Sequence, residues 1–341
     1  MKIDAFTHFL PPEYARRLGQ LGATEADQNM RLRIGGIPAM TDLDLRKRQL
    51  EEFGEDYRQI ISLPTPPLED LGDSKLSVEL AKVANDGMAE LVADNPDVFA
   101  GFVAALPLDD IDASCVEIDR AVSDLGALGV QIYTNMSGLP WDDPRFAPFW
   151  AKMAEVDRMV WCHPTRNHTF PDYKTETTSR YEIWWTLGWP YETSAFMARV
   201  VFGGIFDRHP DLKIITHHGG GMIPQVAGRV GPGWDQLGAR TPPELRGDVE
   251  TTITRRPVDY FKLFYVDTAL MTARHAITST IAFYGVDHVL FASDSPFDPE
   301  KGPGYIRSTL LDLDNLGLSD ADREAILEGN ARRLLPIPAG V

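Results

Sequence analysis

Short runs rich in Val, Ile, Phe and Tyr recur along the whole chain, and between them apolar residues return at helical spacing. This is the pattern of repeated strand–helix units. Eight runs read as strands: Lys2 to His8, Tyr57 to Leu63, Val98 to Leu106, Gly129 to Thr134, Met159 to His163, Leu212 to His217, Leu263 to Asp267 and Val289 to Ser293. Eight strands alternating with helices over 341 residues predict an α/β fold, a (β/α)8 TIM-like barrel made by a single domain spanning 1–341. Thr41 followed by Asp44, and Ser319 followed by Asp322, resemble capping boxes and predict helix starts. Two stretches rich in Gly, Pro and Arg lack clear periodicity: roughly Pro11 to Met40 after strand 1, and Gly231 to Pro257 before strand 7. They read as loop insertions, which on a barrel form lids or oligomer contacts.

Composition narrows the function. With 33 Lys+Arg against 50 Asp+Glu the formal charge is −17, which repels phosphate backbones and anionic lipid, so nucleic acid and membrane surfaces are not expected partners. Asp4 and His8 interrupt the start MKIDAFTHFLPP where a signal peptide needs an apolar run, and no later segment approaches 18 consecutive apolar residues. A cytoplasmic protein is expected. The two cysteines, Cys115 and Cys162, are too few for a zinc cluster or disulfide framework.

Candidate chemistry sits at strand ends. His8 closes strand one, His163 closes strand five in MVWCHP, His218 follows strand six in KIITHHGGG, and Asp294 follows strand eight in VLFASDSPF. Parallel barrel strands bring their C-terminal ends to one mouth, and imidazole and carboxylate are ligands that zinc, manganese or iron takes. Any one histidine is more often an isolated core or surface residue; four polar residues at matching positions make that the minority reading. By strand alternation Asp4, Phe6 and His8 share the face that looks into the mouth, while His217 points away from it into packing.

The segments IDAFTHFLPPEY, WCHPT, GWPYETSAFMARVVFGGIFDRHPDLKIITHHGGGMIP, LFASDSPF and EGNARRLL, in this order, cover nearly the full chain. Together they resemble the amidohydrolase superfamily, in the branch of aminocarboxymuconate-semialdehyde decarboxylase and the resorcylate-type decarboxylases. The resemblance implies a single divalent metal ion, zinc first with manganese or iron as alternatives, held by His8, His163 and Asp294. It also implies a catalytic pair, His218 and Asp294, that handles the proton of a decarboxylation. The chain departs from the family at Phe6, where relatives usually carry His or Glu, leaving three protein ligands.

Weaker candidates surround this core. Arg166 and Asn167, with His168, follow His163 where a substrate carboxylate would sit, and Arg229 follows His218. Asp267 and Asn135 end strands seven and four, and each reads equally well as a turn or cap residue. Trp184, Trp185, Trp189 and Tyr191 read as packing in preference to a ring-stacking wall. His209 precedes strand six and falls at the barrel bottom. No GxSxG elbow, HExxH helix or CxxC pair occurs. The expectation is a metal-dependent carboxy-lyase, a non-oxidative decarboxylase of an aromatic or muconate-like carboxylate, working as a homo-oligomer. The alternatives are a metal-dependent hydrolase of a lactone or amide on the same barrel, and a metal-free ligand-binding barrel, which Phe6 keeps open.

Overall fold

The structure is a computed structural model that describes residues 1–25 and 27–338. Ala26 in the first insertion and the end of the expected domain, 339–341, lie outside the described residues. Eight parallel strands follow one another around a single sheet in chain order: β1 (Lys2–His8), β2 (Tyr57–Ser62), β3 (Phe99–Ala104), β4 (Gly129–Tyr133), β5 (Met159–His163), β6 (Lys213–Thr216), β7 (Tyr265–Asp267) and β8 (Val289–Leu290). Backbone bonds from Ala5 N to Phe291 O at 2.8 Å and from Asp294 N to Phe6 O at 3.1 Å close β8 onto β1. The fold is the expected TIM-like barrel, with strands up to three residues shorter at an end than the apolar runs that announce them.

Trp161 of β5 fills the barrel interior, fully buried, and its Nε1–H donates to Ala5 O at 3.1 Å. Gly129 of β4 makes room for it: a Cβ there would stand 2.6 Å from the indole and 2.1 Å from Met159 O. Burying an indole of this size stabilises by several kcal/mol, on the order of 3–5 kcal/mol against truncation to alanine.

Two local expectations need correction. The helix after the first insertion, α3 (Leu43–Leu50), is capped by Asp42 and not Thr41: the Asp42 carboxylate accepts from Leu45 N at 2.8 Å. Ser319 caps as expected, accepting from Asp322 N at 3.1 Å. More consequentially, the register of β1 on β2 slips between Asp4 and Thr7. Such a bulge breaks the period of two. Ala5 therefore packs in the same cluster as Trp161 while its neighbour Phe6 joins the imidazoles at the mouth. Asp4 does not share their face. It accepts from Tyr57 OH at 2.5 Å and from Ser293 N at 3.0 Å, and burial lifts its carboxyl to about 6.

The first insertion is not irregular: it forms two helices, α1 (Pro12–Gln20) and α2 (Gln28–Gly35). Only Ile34 of α2 is buried, which is why no apolar period marks it. The second insertion is a series of short turns, with Trp234 stacked on Phe261 at 5.2 Å. Among the described residues no helix is long and apolar enough to cross a membrane.

Candidate active site

Four histidines meet at the barrel mouth, and each has its Nδ1 tied to an oxygen. His163 Nδ1–H donates to Pro164 O at 2.6 Å, and His218 Nδ1–H to Ala269 O at 2.8 Å. His217 Nδ1 meets Asp267 Oδ2 at 2.7 Å, and His8 Nδ1 meets Ser62 Oγ at 3.2 Å. This leaves the Nε2 atoms for other work, and those of His217 and His218 are buried without a partner. Histidines that bind metals are commonly held this way, the second ring nitrogen fixed on a carboxylate or carbonyl.

His8 Nε2 lies 3.2 Å from Asp294 Oδ1, both side chains buried. Ser62 donates its own proton to Thr7 O at 3.2 Å, so its oxygen is free to accept from His8 Nδ1. In that tautomer His8 points a lone pair at the Asp294 carboxylate, an arrangement that needs a cation between the two. His163 stands beside them, its ring 5.7 Å from that of His8. Burial, followed by the neighbouring His8, His217 and His218, holds its imidazole well below the usual histidine range, in the neutral form that a ligand requires. The donor types and tautomers of His8, His163 and Asp294 therefore fit a divalent cation. Among the described residues no three such groups close tightly enough to form a ready-made cage, and the ring of Phe6 stands among them, 4.6 Å from His8 and 5.6 Å from His163.

Backbone strain concentrates here. His218 and Asp294 both adopt left-handed conformations, φ 58° and 63°, which cost non-glycine residues on the order of 1–3 kcal/mol. The turn after β6 explains the correction at His217. β6 ends at Thr216, so strand alternation no longer applies, and His217 stacks on Phe6 inside the cluster instead of pointing away.

A cavity of about 680 Å³ opens above His163 and Asp294. One wall is made by Trp184, Trp185 and Trp189, whose rings meet edge to face at 5.7 and 6.4 Å. Trp189 also sets its ring against His163 at 5.5 Å. These residues come from α4 (Ile183–Thr186) and the start of α5 (Gly188–Phe202). The wall that the sequence favoured as packing thus faces the cavity. Asn29, Met30, Leu32 and Arg33 of α2 also line the cavity, together with Phe297 and Tyr305. The lining role of α2 had no signal in residue spacing.

The remaining candidates lie elsewhere. Arg166 pairs with Glu192 at 2.9 Å and, with Arg229, lines a separate cavity of about 990 Å³. Asn167 accepts from Thr169 N and Oγ1, at 3.0 and 2.6 Å, within its own loop. Of the three loop residues only His168 reaches the wall of the cavity that holds His163. Asn135 braces a turn, accepting from Gly138 N at 2.8 Å.

Comparison with known proteins identifies relatives of the whole barrel. A family model described as amidohydrolase matches residues 3–337. A gamma-resorcylate decarboxylase of Rhizobium radiobacter is 31% identical over 86% of this chain and 87% of its own. A 2-amino-3-carboxymuconate-6-semialdehyde decarboxylase of Dictyostelium discoideum is 28% identical over 98% of this chain and 91% of its own. The solved structure of a dihydroxybenzoic acid decarboxylase from Polaromonas sp., with bound manganese and the inhibitor 2-nitroresorcinol, superposes with TM-score 0.76 at 28% identity, covering 98% of this chain and 96% of that one.

Proposed function

The chain belongs to the amidohydrolase family, and on that footing we propose that it is a metal-dependent, non-oxidative decarboxylase of an aromatic or muconate-like carboxylate, built as one catalytic domain. The observation that carries this reading is the mouth itself, where His163 and Asp294 form the floor of an indole-walled cavity of about 680 Å³. Decarboxylase relatives at 31% and 28% identity support the reaction class.

His8, His163 and Asp294 would hold the divalent ion. Two imidazoles and a carboxylate suit zinc, manganese and iron(II) alike, and the manganese of the Polaromonas relative puts that ion beside zinc as the first to test. When bound, the metal supplies Lewis acidity toward the substrate's carboxylate or a neighbouring hydroxyl. Trp184, Trp185 and Trp189 offer faces and edges for a conjugated ring. The bond from ring carbon to carboxylate breaks, its electron pair stays on carbon, and that carbon takes a proton as carbon dioxide leaves. His218, whose Nε2 is unpartnered, and Asp294 are the groups that handle this proton. Arg166, Asn167 and Arg229 do not line this cavity; Arg166 and Arg229 line the second one, so their part in substrate binding requires it to be a site in its own right or a junction between subunits of a homo-oligomer, and Asn167 would act from the loop beside the indole wall. The scarcity of cysteines, Cys115 and Cys162 alone, supports a cytoplasmic location.

The test is carbon dioxide release from a panel of hydroxybenzoates and unsaturated dicarboxylates by protein loaded with manganese or zinc. Release that disappears in Asp294→Ala is expected. Acid release from lactones without carbon dioxide would replace this reading with hydrolysis, and ligand binding without turnover or metal would favour the metal-free barrel to which Phe6 points.

A further inference from the structure

Asp267 is a fully buried carboxylate at the end of β7 that stays outside the substrate cavity yet touches everything that fixes His218. Its Oδ2 takes the Nδ1–H of His217 at 2.7 Å. Its Oδ1 takes two backbone N–H groups, from Gly219 at 3.2 Å and from Ala269 at 3.1 Å. Gly219 is the residue after His218, and Ala269 is the residue whose carbonyl receives the His218 Nδ1–H at 2.8 Å. One carboxylate thus clamps the backbone on one side of His218 and the acceptor of its ring on the other.

That clamp bears on a strained turn. His218 has φ 58° and ψ 51°, and Gly219 follows at φ 65°, where a Cβ would stand 2.8 Å from Thr280 Oγ1. A non-glycine residue keeps a left-handed conformation only where its surroundings over-determine it. Asp267 supplies that determination. His217, pressed flat against Phe6, fills the carboxylate's remaining acceptor and holds it in place.

We propose that Asp267, together with His217, is the positioning residue of this site: it sets the ring orientation and the tautomer of His218, so that Nδ1 carries the proton and Nε2 is presented bare. The role rests on the reading of His218 as a proton-handling group. Neither Asp267 nor His217 lines the substrate cavity.

Asp267→Asn is the decisive variant. It keeps the shape but leaves one accepting oxygen for three N–H donors, so either the two backbone N–H groups lose their acceptor or His217 must move its proton to the buried Nε2, which has no partner. His217→Asn keeps an N–H for Asp267, whereas His217→Leu leaves a buried carboxylate oxygen unpaired. The readout is the nitrogen NMR signature of His218 in protein labelled at histidine and assigned with His218→Gln, with no substrate present. In wild type and His217→Asn, His218 is protonated at Nδ1 alone; in Asp267→Asn and His217→Leu that signature gives way to a tautomer mixture. On a substrate found in the panel above, Asp267→Asn lowers kcat at least tenfold with KM within threefold, and His217→Asn restores most of what His217→Leu loses. An unchanged His218 signature in Asp267→Asn overturns the proposal whatever the panel shows. A changed signature with a silent panel supports the positioning and counts against the decarboxylase reading alone.

Discussion

Phe6 lies face to face with His217, ring centroids 3.3 Å apart and planes within 14°. The same ring stands 4.6 Å from His8, 5.6 Å from His163 and 6.0 Å from His218, so an apolar side chain holds the middle of four imidazoles. It packs the cluster and contributes no lone pair. Phe6→His places a nitrogen at that point, and we expect it to tighten manganese or zinc binding by roughly tenfold or more, the order of change that alterations around a metal shell produce. Competition with a chelator measures this. Equal affinity in the variant would show that the position lies outside the metal's reach.

The 3.2 Å approach of His8 Nε2 to Asp294 Oδ1 makes a second prediction, because with the His8 proton on Nδ1 toward Ser62 a lone pair faces the carboxylate, and a cation between them relieves the contact. Protein purified without added metal should carry about one divalent ion per chain, and His163→Ala and Asp294→Ala should each carry almost none. Elemental analysis decides it. Variants that retain the wild-type metal content would place the ion elsewhere.

The strand-end residues were legible in the sequence because barrel topology alone brings His8, His163, His218 and Asp294 to one mouth, whatever the loops do. Asp4 was misplaced because the β1 bulge is a one-residue slip with no marker in residue type. His217 was misplaced because β6 stops at Thr216, which leaves His217 one residue beyond the reach of strand alternation. The indole wall and the α2 lining depend on how long segments fold back over the barrel, which spacing within a segment does not encode. Arg166 shows the converse: it follows His163 by three residues, yet its loop turns it to Glu192.

The indole wall predicts a split in kinetic constants. Trp185 is half-buried on the cavity wall, packs edge to face with Trp189 and reaches no proton-handling group. Replacing it by Leu removes ring-stacking surface worth about 1–1.5 kcal/mol, so KM should rise roughly tenfold with kcat little changed. Steady-state kinetics on a panel substrate reads this directly. A fall in kcat at constant KM would mean that the wall acts on the chemical step and not on binding.

Glu69 carries the last prediction, on stability. Both of its carboxylate oxygens are buried without a hydrogen-bond partner, and burial lifts the group from its ordinary 4.5 to about 8. The folded chain therefore keeps a proton on Glu69 that the unfolded chain has released above pH 4.5. Between these values the folded state binds more protons, so stability falls as pH rises. The contribution is fully present below about pH 4.5 and is lost by about pH 8. At 1.36 kcal/mol per unit the span amounts to at most roughly 5 kcal/mol. Glu69→Gln is neutral throughout and escapes this loss, so its urea midpoint should match that of wild type in mild acid and exceed it above neutrality, by a margin that grows with pH. Parallel pH dependences of the two midpoints would mean that Glu69 ionises in the folded protein with little cost, and that water reaches its carboxylate.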